Sequence, residues 1–353
     1  MMEHNQEPLQ TPVLFLVFNR PDTTQKVFEA IRAARPTRLF VAADGPRPAK
    51  EGEKAQCEKV RAIATAVDWE CELNTFFREE NAGCGKAVSS GITWFFEQVE
   101  EGIILEDDCL PTPELFPFCT TLLEKYRDDT RVMEIGGVSL LHEDQRDYTY
   151  SYFFSTHNNI WGWATWRRAW QLYDYTMTKY KDIMDKGFFD DYFNSIHEES
   201  YFRWVFERTY RLPSITWDYQ WEFIRRIHSG LTIFPVKNLV INLGFGDQAT
   251  HTSGDGGASG QLQLEKLEFP LRHPEFILPD VKADTQGFVN HHTSSKSRLK
   301  NRLKNWLPKS IRNKLFRHSM DGFVRAYRSQ HKPVNDTATD NILINKIYHT
   351  PEK

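Results

Sequence analysis

Short apolar runs and amphipathic stretches alternate along the first part of the chain. The run from Pro12 to Phe18 predicts a buried strand, followed by a helix that ends near Ala34. The same pattern predicts strands at 38–43, 73–78 and 102–105 and near Val132, with helices ending near Val67, spanning 86–99 and starting near Glu114. Because strands and helices alternate, we predict an α/β fold with a mainly parallel sheet flanked by helices.

A polar cluster follows each of the first four predicted strands. These clusters are Asn19-Arg20-Pro21-Asp22, Asp44-Gly45-Pro46, Asn81-Ala82-Gly83 and Glu106-Asp107-Asp108. Ligands of parallel sheets bind at the carboxyl ends of the strands, so the clusters predict a site at one edge. Three adjacent acids repel one another and favour a bound Mg²⁺ or Mn²⁺. The alternative is a solvated acidic turn that caps the next helix.

Composition indicates which partners and which cellular compartment suit the protein. The 353 residues carry a net charge of −4, which argues against nucleic acid as a partner. The 10 Trp residues suit stacking on sugar rings as well as core packing. Five cysteines, without zinc-site spacing, indicate reduced thiols. The polar N-terminus lacks the pattern of a signal peptide and no apolar run is long enough to span a bilayer, so we predict a cytoplasmic protein.

Seven segments carry a resemblance to a known family. In chain order they are FNRPDTTQKVFEAI, AADGPR, NAGCGKAVSSGITWFF, ILEDDCLPTPELFPF, IWGWATW, WDYQW and GFGDQATHT. Together, from about Pro12 to Thr252, they resemble N-acetylglucosaminyltransferase I, an inverting glycosyltransferase. The chain also resembles bacterial nucleotide-diphospho-sugar transferases, some of which carry a hemolysin-like label. The resemblance implies the Rossmann-like GT-A fold and a nucleotide-sugar donor, with UDP favoured over GDP.

The resemblance assigns roles to the strand-end clusters. Asp108 would be the direct ligand of Mn²⁺ or Mg²⁺, while Glu106 and Asp107 would contact the ribose or orient water on the metal. Arg20 and Asp44 would lie on the base and ribose side of the nucleotide. An Asp can accept a hydrogen bond from a base N–H, and Arg20 can hold that Asp or a phosphate. Ordinary turn chemistry explains Arg20 and Asp44 equally well.

Three further segments are candidate binding positions. Lys86 opens a helix beside Gly83 and Gly85, where a phosphate can bind, although a simple helix start is the alternative. His251 occupies the position at which many GT-A enzymes have a histidine near the metal or diphosphate, and a surface histidine is the alternative. Trp161, Gly162 and Trp163 are predicted to line the sugar pocket, with at least one Trp in the core.

Asp218 is the candidate general base. WDYQWEF resembles the family segment that begins a late helix with a carboxylate facing the acceptor hydroxyl. Neighbouring Trp217, Tyr219 and Trp221 would shield the carboxylate and hold a sugar. The alternative role for Asp218 is a helix N-cap, and Glu222 is the next candidate base.

We divide the chain into four parts on this basis. They are a polar extension (1–11), a nucleotide-sugar-binding half (12–138), an acceptor-binding half of the same GT-A domain (139–283) and a basic, helical, amphipathic tail (284–353). Within the tail, 296–317 has nine Lys or Arg and no acid, and Pro308 is expected to split it into two short helices. Either this segment lies on an anionic membrane or its apolar stripe packs on the enzyme.

The predicted function is metal-dependent, inverting transfer of a hexosyl or N-acetylhexosaminyl group. The acceptor would be a glycan or glycolipid in surface polysaccharide synthesis, with the enzyme peripheral to the inner face of the cytoplasmic membrane. Two alternatives remain. A sugar nucleotidyltransferase would share the sheet and acidic site but needs a Gly-rich triphosphate loop, which FNRPDTTQK is not. A non-catalytic carbohydrate-binding protein would have no use for the three acids.

Overall fold

The structure is a computed structural model that describes residues 7–139, 141, 148–190, 192–244, 262–292 and 309–330. Its strands are β1 (Val13–Val17), β2 (Arg38–Ala43), β3 (Glu72–Phe77), β4 (Glu101–Glu106), β5 (Cys109–Pro111), β6 (Val132–Gly136), β7 (Tyr152–Ser155), β8 (Trp163–Trp166), β9 (Leu231–Pro235) and β10 (Val240–Asn242). Its α-helices are α1 (Pro21–Ala34), α2 (Glu53–Ala64), α3 (Gly83–Phe96), α4 (Leu115–Lys125), α5 (Arg167–Trp170), α6 (Tyr180–Asp185), α7 (Ile196–Arg211), α8 (Asp218–Ile227), α9 (Val281–His292) and α10 (Lys309–Gln330).

Eight strands form one sheet in the order β3-β2-β1-β4-β8-β6-β9-β7. β8 and β7 run antiparallel to their neighbours, and the other six strands share one direction. All five residues of β1 are buried, as continuous apolar strands covered on both faces should be. The predicted α/β fold with a mainly parallel sheet flanked by helices is therefore confirmed. β5 and β10 pair separately, as a short antiparallel ladder.

Sequence signals mark the ends of α1. Pro21 occupies its first turn, where a missing N–H costs nothing, and Val27, Phe28 and Ile31 form its buried face. The helix ends at Ala34, and the C-cap residue Arg35 has a φ of 49°, in the left-handed region. α1 thus begins within the first strand-end cluster, directly after Arg20, which fixes where Arg20 emerges from the sheet.

The chain separates into two compact units. The first comprises Met1–Trp170 and Arg225–His291, and the second comprises Gln171–Ile224 and His292–Lys353. This division differs from the predicted boundary at 284, which falls inside α9. Asp284 of α9 accepts hydrogen bonds from the Ser155 hydroxyl (2.5 Å) and from the Thr156 N–H (2.9 Å), so this helix is fastened to the end of β7.

Within the second unit, α10 packs on α7 and the turn after it. Met320 and Val324 are buried with Leu212, and Asp321 accepts a hydrogen bond from Arg211 at 2.6 Å. α10 starts directly after Pro308, as expected, but its 22 residues make it longer than predicted. This part of the tail is docked on protein, whereas Ile311 and Leu315 remain 45% and 49% exposed. Residues 293–308 lie outside the described part of the chain.

Candidate active site

The carboxyl ends of β1 and β4 bring Arg20 onto the acidic triplet. The two strands are parallel neighbours, and their register pairs Leu16 with Glu106. Residues that follow β1 therefore lie beside residues that follow β4. Arg20 donates from Nη2 to Asp107 Oδ1 at 2.5 Å and from Nη1 to Asp108 Oδ2 at 2.7 Å. One guanidinium thus bridges two carboxylates at the centre of the predicted edge.

Arg20 was expected to lie on the base and ribose side of the nucleotide and to hold Asp44 or a phosphate. In the structure it holds Asp107 and Asp108 rather than Asp44, and its contact with a nucleotide stays a prediction. The difference follows from register, because the residues after β1 meet those after β4. Burial by itself lowers the pKa of Arg20, but Asp107 and Asp108 more than offset it and raise that pKa. The guanidinium therefore keeps its charge and offsets one of the two negative charges that Asp107 and Asp108 can carry.

Asp107 is enclosed by the protein. Its second oxygen accepts the Phe18 N–H at 3.1 Å, so both carboxylate oxygens are engaged. Burial raises the pKa of Asp107 to about 6, against the opposing effect of Arg20. With its side chain only 3% exposed, Asp107 holds Arg20 and the loop after β1 together. The predicted contact of Asp107 with ribose or metal-bound water is not the role that these contacts give it.

Asp108 lies against the segment that follows β10. Its backbone carbonyl accepts the Leu243 N–H at 2.7 Å, which extends the β5–β10 ladder. A Cβ on Gly244 would be 2.3 Å from Asp108 Oδ2 and 3.0 Å from Arg20 Nη1. Only glycine allows the backbone to approach the ion pair so closely. The Gly244 N–H is held in turn by Asn242 Oδ1 at 2.6 Å.

Asp108 suits a divalent cation whose remaining ligands come from the substrate. Its side chain is 12% exposed, and among the described residues its second oxygen accepts a hydrogen bond from the Cys109 thiol at 3.5 Å, a weak partner. Among the described residues, no three His, Cys, Asp or Glu side chains are grouped as a metal site. A hard cation commonly takes one or two carboxylates together with phosphate and water. Half-buried Glu106 lies at the end of β4, and its predicted role stays a prediction.

Asp44 organises the loop that leads into α3. Its Oδ1 accepts the N–H groups of Gly45 and Ala82, both at 2.9 Å. Its Oδ2 accepts the Asn81 side-chain amide at 2.9 Å and the Gly83 N–H at 3.1 Å. Burial raises the pKa of Asp44, and these N–H groups oppose that rise. The predicted contact with a base N–H would have to be added to four existing hydrogen bonds.

The backbone at the start of α3 has the features on which the predicted phosphate position depends. Gly83 has φ +79°, a conformation that favours glycine, and it turns the chain from the Asp44 loop into the helix. Lys86 lies in the first turn, half-buried. Amide groups at a helix N-terminus attract anions. The phosphate contact of Lys86 stays a prediction.

A second charged cluster at this edge was missed by sequence reasoning. The buried carboxylate of Glu53 accepts the Arg47 N–H at 2.7 Å and the Asn19 side-chain amide at 2.8 Å. The hydrogen bonds from the Arg47 guanidinium lower the pKa of Glu53 to about 2. This cluster ties the loops after β1 and β2 together. Glu53 is one of many charges in a polar stretch, so no spacing in the sequence singles it out.

The Trp-Gly-Trp segment divides between core and surface. Trp163 is fully buried in β8 with its ring 6.3 Å from that of Trp170, so it is a core residue, as predicted for at least one of the two Trp residues, and does not line a sugar pocket. Gly162 has φ +58°, and a Cβ there would be 2.7 Å from Val240 Cγ2, which explains the glycine by packing. Trp161 is half-buried and stays a candidate for contact with a sugar.

Asp218 is the first residue of α8 and belongs to the second unit. The Thr216 hydroxyl donates a hydrogen bond to its carboxylate, which remains half-buried. Trp217 and Trp221 are buried core residues, so they are not exposed surfaces for a sugar. Glu222, the alternative base, is also buried. The role of Asp218 as a base stays a prediction, and His251 lies outside the described residues.

The aromatic surroundings of Asp218 include a tyrosine pair. The hydroxyl groups of Tyr219 and Tyr201 are 2.6 Å apart, and the Arg208 guanidinium lies 5.4 Å from the centre of the Tyr219 ring. Burial raises the pKa of both tyrosines. Both hydroxyls therefore remain protonated at neutral pH, as hydrogen-bonding groups rather than bases.

Comparisons with known proteins give weak similarities. No family model and no curated protein matches the chain. Mouse xyloside xylosyltransferase 1 is 11% identical over 64% of this chain and 84% of its own, with a TM-score of 0.32. The galactosyltransferase LgtC, in complex with donor and acceptor sugar analogs, is 10% identical over 49% and 64%, with a TM-score of 0.29. UDP-glucose pyrophosphorylase, complexed with UDP-glucose, is 11% identical over 46% and 78%, with a TM-score of 0.28.

Identity and TM-score are both too low for these similarities to decide the activity of the chain.

Membrane crossing by a helix requires a long apolar segment. In the part of the chain that the structure describes, no helix is both long and apolar enough to span a bilayer.

Proposed function

We propose that the chain is a nucleotide-sugar-dependent glycosyltransferase of the GT-A type. The observation that carries the proposal is the Arg20 bridge to Asp107 and Asp108, formed at the carboxyl ends of adjacent parallel strands. This edge is where α/β sheets bind nucleotides. A guanidinium is well matched to phosphate oxygens, and a carboxylate beside it suits a divalent cation. A diphosphate with its cation needs both kinds of group.

The reaction we propose is a single displacement with inversion. The acceptor hydroxyl attacks the anomeric carbon, the bond from that carbon to the diphosphate oxygen breaks, and a carboxylate takes the hydroxyl proton. Asp218 is the proposed carboxylate, on the resemblance alone. Mn²⁺ or Mg²⁺ held by Asp108 would offset the charge of the departing nucleotide diphosphate. The donor would be a UDP-sugar, and the acceptor a glycan or glycolipid such as a surface polysaccharide precursor.

A product assay tests this function against the alternatives. The full-length protein is incubated with a panel of UDP- and GDP-sugars and Mn²⁺, and free nucleoside diphosphate is measured. A glycosyltransferase releases it by slow donor hydrolysis or by transfer. A nucleotidyltransferase instead releases pyrophosphate from UTP and a sugar 1-phosphate, and that result would replace our proposal. Binding of sugars without either product would indicate a carbohydrate-binding protein.

The base has its own test. Asp218→Asn keeps the size of the side chain but cannot accept the proton, so transfer should fall by at least about 100-fold. Undiminished transfer would remove Asp218 from the mechanism. Glu222→Gln tests the alternative base, a buried carboxylate in the same helix. A loss of transfer in Glu222→Gln with transfer retained in Asp218→Asn would assign the role of base to Glu222.

A further inference from the structure

We propose that Arg20 makes cation binding at Asp108 depend on the nucleotide. Without a nucleotide, its Nη1 arm holds one oxygen of the Asp108 carboxylate and places a positive charge beside the other, and an arriving diphosphate draws that arm away. The inference rests on the proposed function, because it takes Asp108 as the carboxylate that binds the cation. Its observation is the arrangement of one guanidinium on two unequal carboxylates.

The two arms of Arg20 contact carboxylates that differ in exposure and in their other hydrogen bonds. The Nη2 arm contacts Asp107, whose side chain is 3% exposed and whose other oxygen accepts the Phe18 N–H. The Nη1 arm contacts Asp108, whose side chain is four times as exposed, at 12%, and whose other oxygen has the weaker Cys109 thiol. Exchange of partners is therefore easier at Asp108. The Asp107 arm can act as a pivot that keeps Arg20 in the site.

The Arg20 guanidinium and a divalent cation compete for the Asp108 carboxylate, of which Arg20 holds Oδ2. With Nη1 at 2.7 Å, an ion on the same oxygen would lie against a like charge in a poorly solvated place. Gly244 closes the neighbouring side of this oxygen, because even a Cβ there would be 2.3 Å away. A diphosphate offers Arg20 new oxygens in the fork geometry that guanidinium prefers. Coupling of this kind is reciprocal, so the cation should strengthen nucleotide binding by the same factor.

Mn²⁺ titration tests the coupling without measuring turnover. Free Mn²⁺ is followed by electron paramagnetic resonance in full-length protein, first alone and then with UDP. Arg20→Met removes the competing charge and keeps much of the apolar stem. We expect its nucleotide-free affinity for Mn²⁺ to rise at least about tenfold over wild type. The factor by which UDP improves Mn²⁺ binding should shrink by a similar amount.

Two further variants control for folding and for general charge effects. Arg20→Met combined with Asp107→Asn removes both members of the buried pair, so no buried charge is left alone, and it should show the same gain in Mn²⁺ affinity. Arg47→Met removes another guanidinium from this edge, one that is bonded to Glu53 rather than Asp108. Its Mn²⁺ affinity should stay within about twofold of wild type.

The outcomes separate this inference from the proposed function. Nucleotide-free Mn²⁺ affinity that stays unchanged in both Arg20 variants overturns the coupling, even when wild-type protein turns over UDP-sugars. A gain in both variants that disappears on adding Asp108→Asn supports it. A gain that survives Asp108→Asn overturns it, because the ion then binds elsewhere. Absence of any nucleotide-sugar turnover by wild type is a failure of the proposed function instead.

Discussion

Gly244→Ala tests whether stability and turnover depend on the close approach of the backbone to the Arg20–Asp108 pair. The new Cβ would be 2.3 Å from Asp108 Oδ2, about 1.1 Å inside the 3.4 Å at which ordinary contact begins. It would also be 3.0 Å from Arg20 Nη1. The carboxylate cannot move away while it keeps its 2.7 Å contact with Arg20, so the ion pair must open or the segment after β10 must shift.

The expected consequences are moderate for stability and large for activity. Relief of this overlap should cost about 1–3 kcal/mol in the free energy of unfolding. A displacement of about 1 Å at a group that positions the donor should lower turnover by about 100-fold. Urea unfolding measures the first effect, and release of UDP from the active UDP-sugar measures the second.

Gly322→Ala is the matched control for this substitution. A Cβ on Gly322 meets nothing within 4 Å, and the residue lies inside α10. Alanine there should raise the free energy of unfolding by about 0.5–1 kcal/mol and leave turnover unchanged. Turnover and stability of Gly244→Ala within error of wild type would refute the geometry described for Asp108.

Three other predictions concern docking, pH and membranes. Met320 is buried and Leu315 is exposed. In urea titrations, Met320→Ala should therefore lower the free energy of unfolding by about 2–3 kcal/mol, and Leu315→Ala by less than about 0.5 kcal/mol. Equal effects of the two variants would contradict the docking of α10. Because Arg47 holds the pKa of Glu53 at about 2, below the ordinary 4.5, the unfolded chain takes up this proton first as pH falls. Wild type should therefore lose about 1–2 kcal/mol more stability than Glu53→Gln between pH 6 and pH 3, and parallel curves would disprove this linkage. Replacement by Gln of the five Lys and Arg residues in 296–304 should weaken low-salt binding to phosphatidylserine vesicles, and binding that is unaltered, or undetectable for wild type, would rule out the membrane hypothesis.

The sequence predicted the parallel half of the fold well because its signals are local. β2 was expected at 38–43 and spans Arg38–Ala43, and β1 and β4 differ from expectation by one residue at each end. Each is an apolar run that ends at a polar cluster, a pattern that needs no tertiary information. The insertion of antiparallel β8 between β4 and β6 could not be predicted in this way, because it depends on pairing between distant segments.

Site prediction had the same limit. The strand-end rule correctly brought the clusters after β1 and β4 to one edge, since Arg20 contacts Asp107 and Asp108. It could not tell that Asp107 is the more deeply buried of the two aspartates, because that depends on the Phe18 N–H and on the segment that contains Gly244. Trp163 was misassigned for a similar reason, because Trp is a common residue both in protein cores and in sugar pockets, and its place in the sequence does not distinguish the two.

We propose that the edge formed by Arg20 and Asp108 binds a nucleotide sugar for transfer. The most direct measurement is release of nucleoside diphosphate from the nucleotide sugar that wild type uses, with Mn²⁺ or with EDTA, for wild type and Asp108→Ala. We predict that wild type is active with Mn²⁺ and loses activity in EDTA, and that Asp108→Ala is at least about 100-fold slower even with Mn²⁺. Wild-type turnover by Asp108→Ala in the presence of EDTA would contradict the claim.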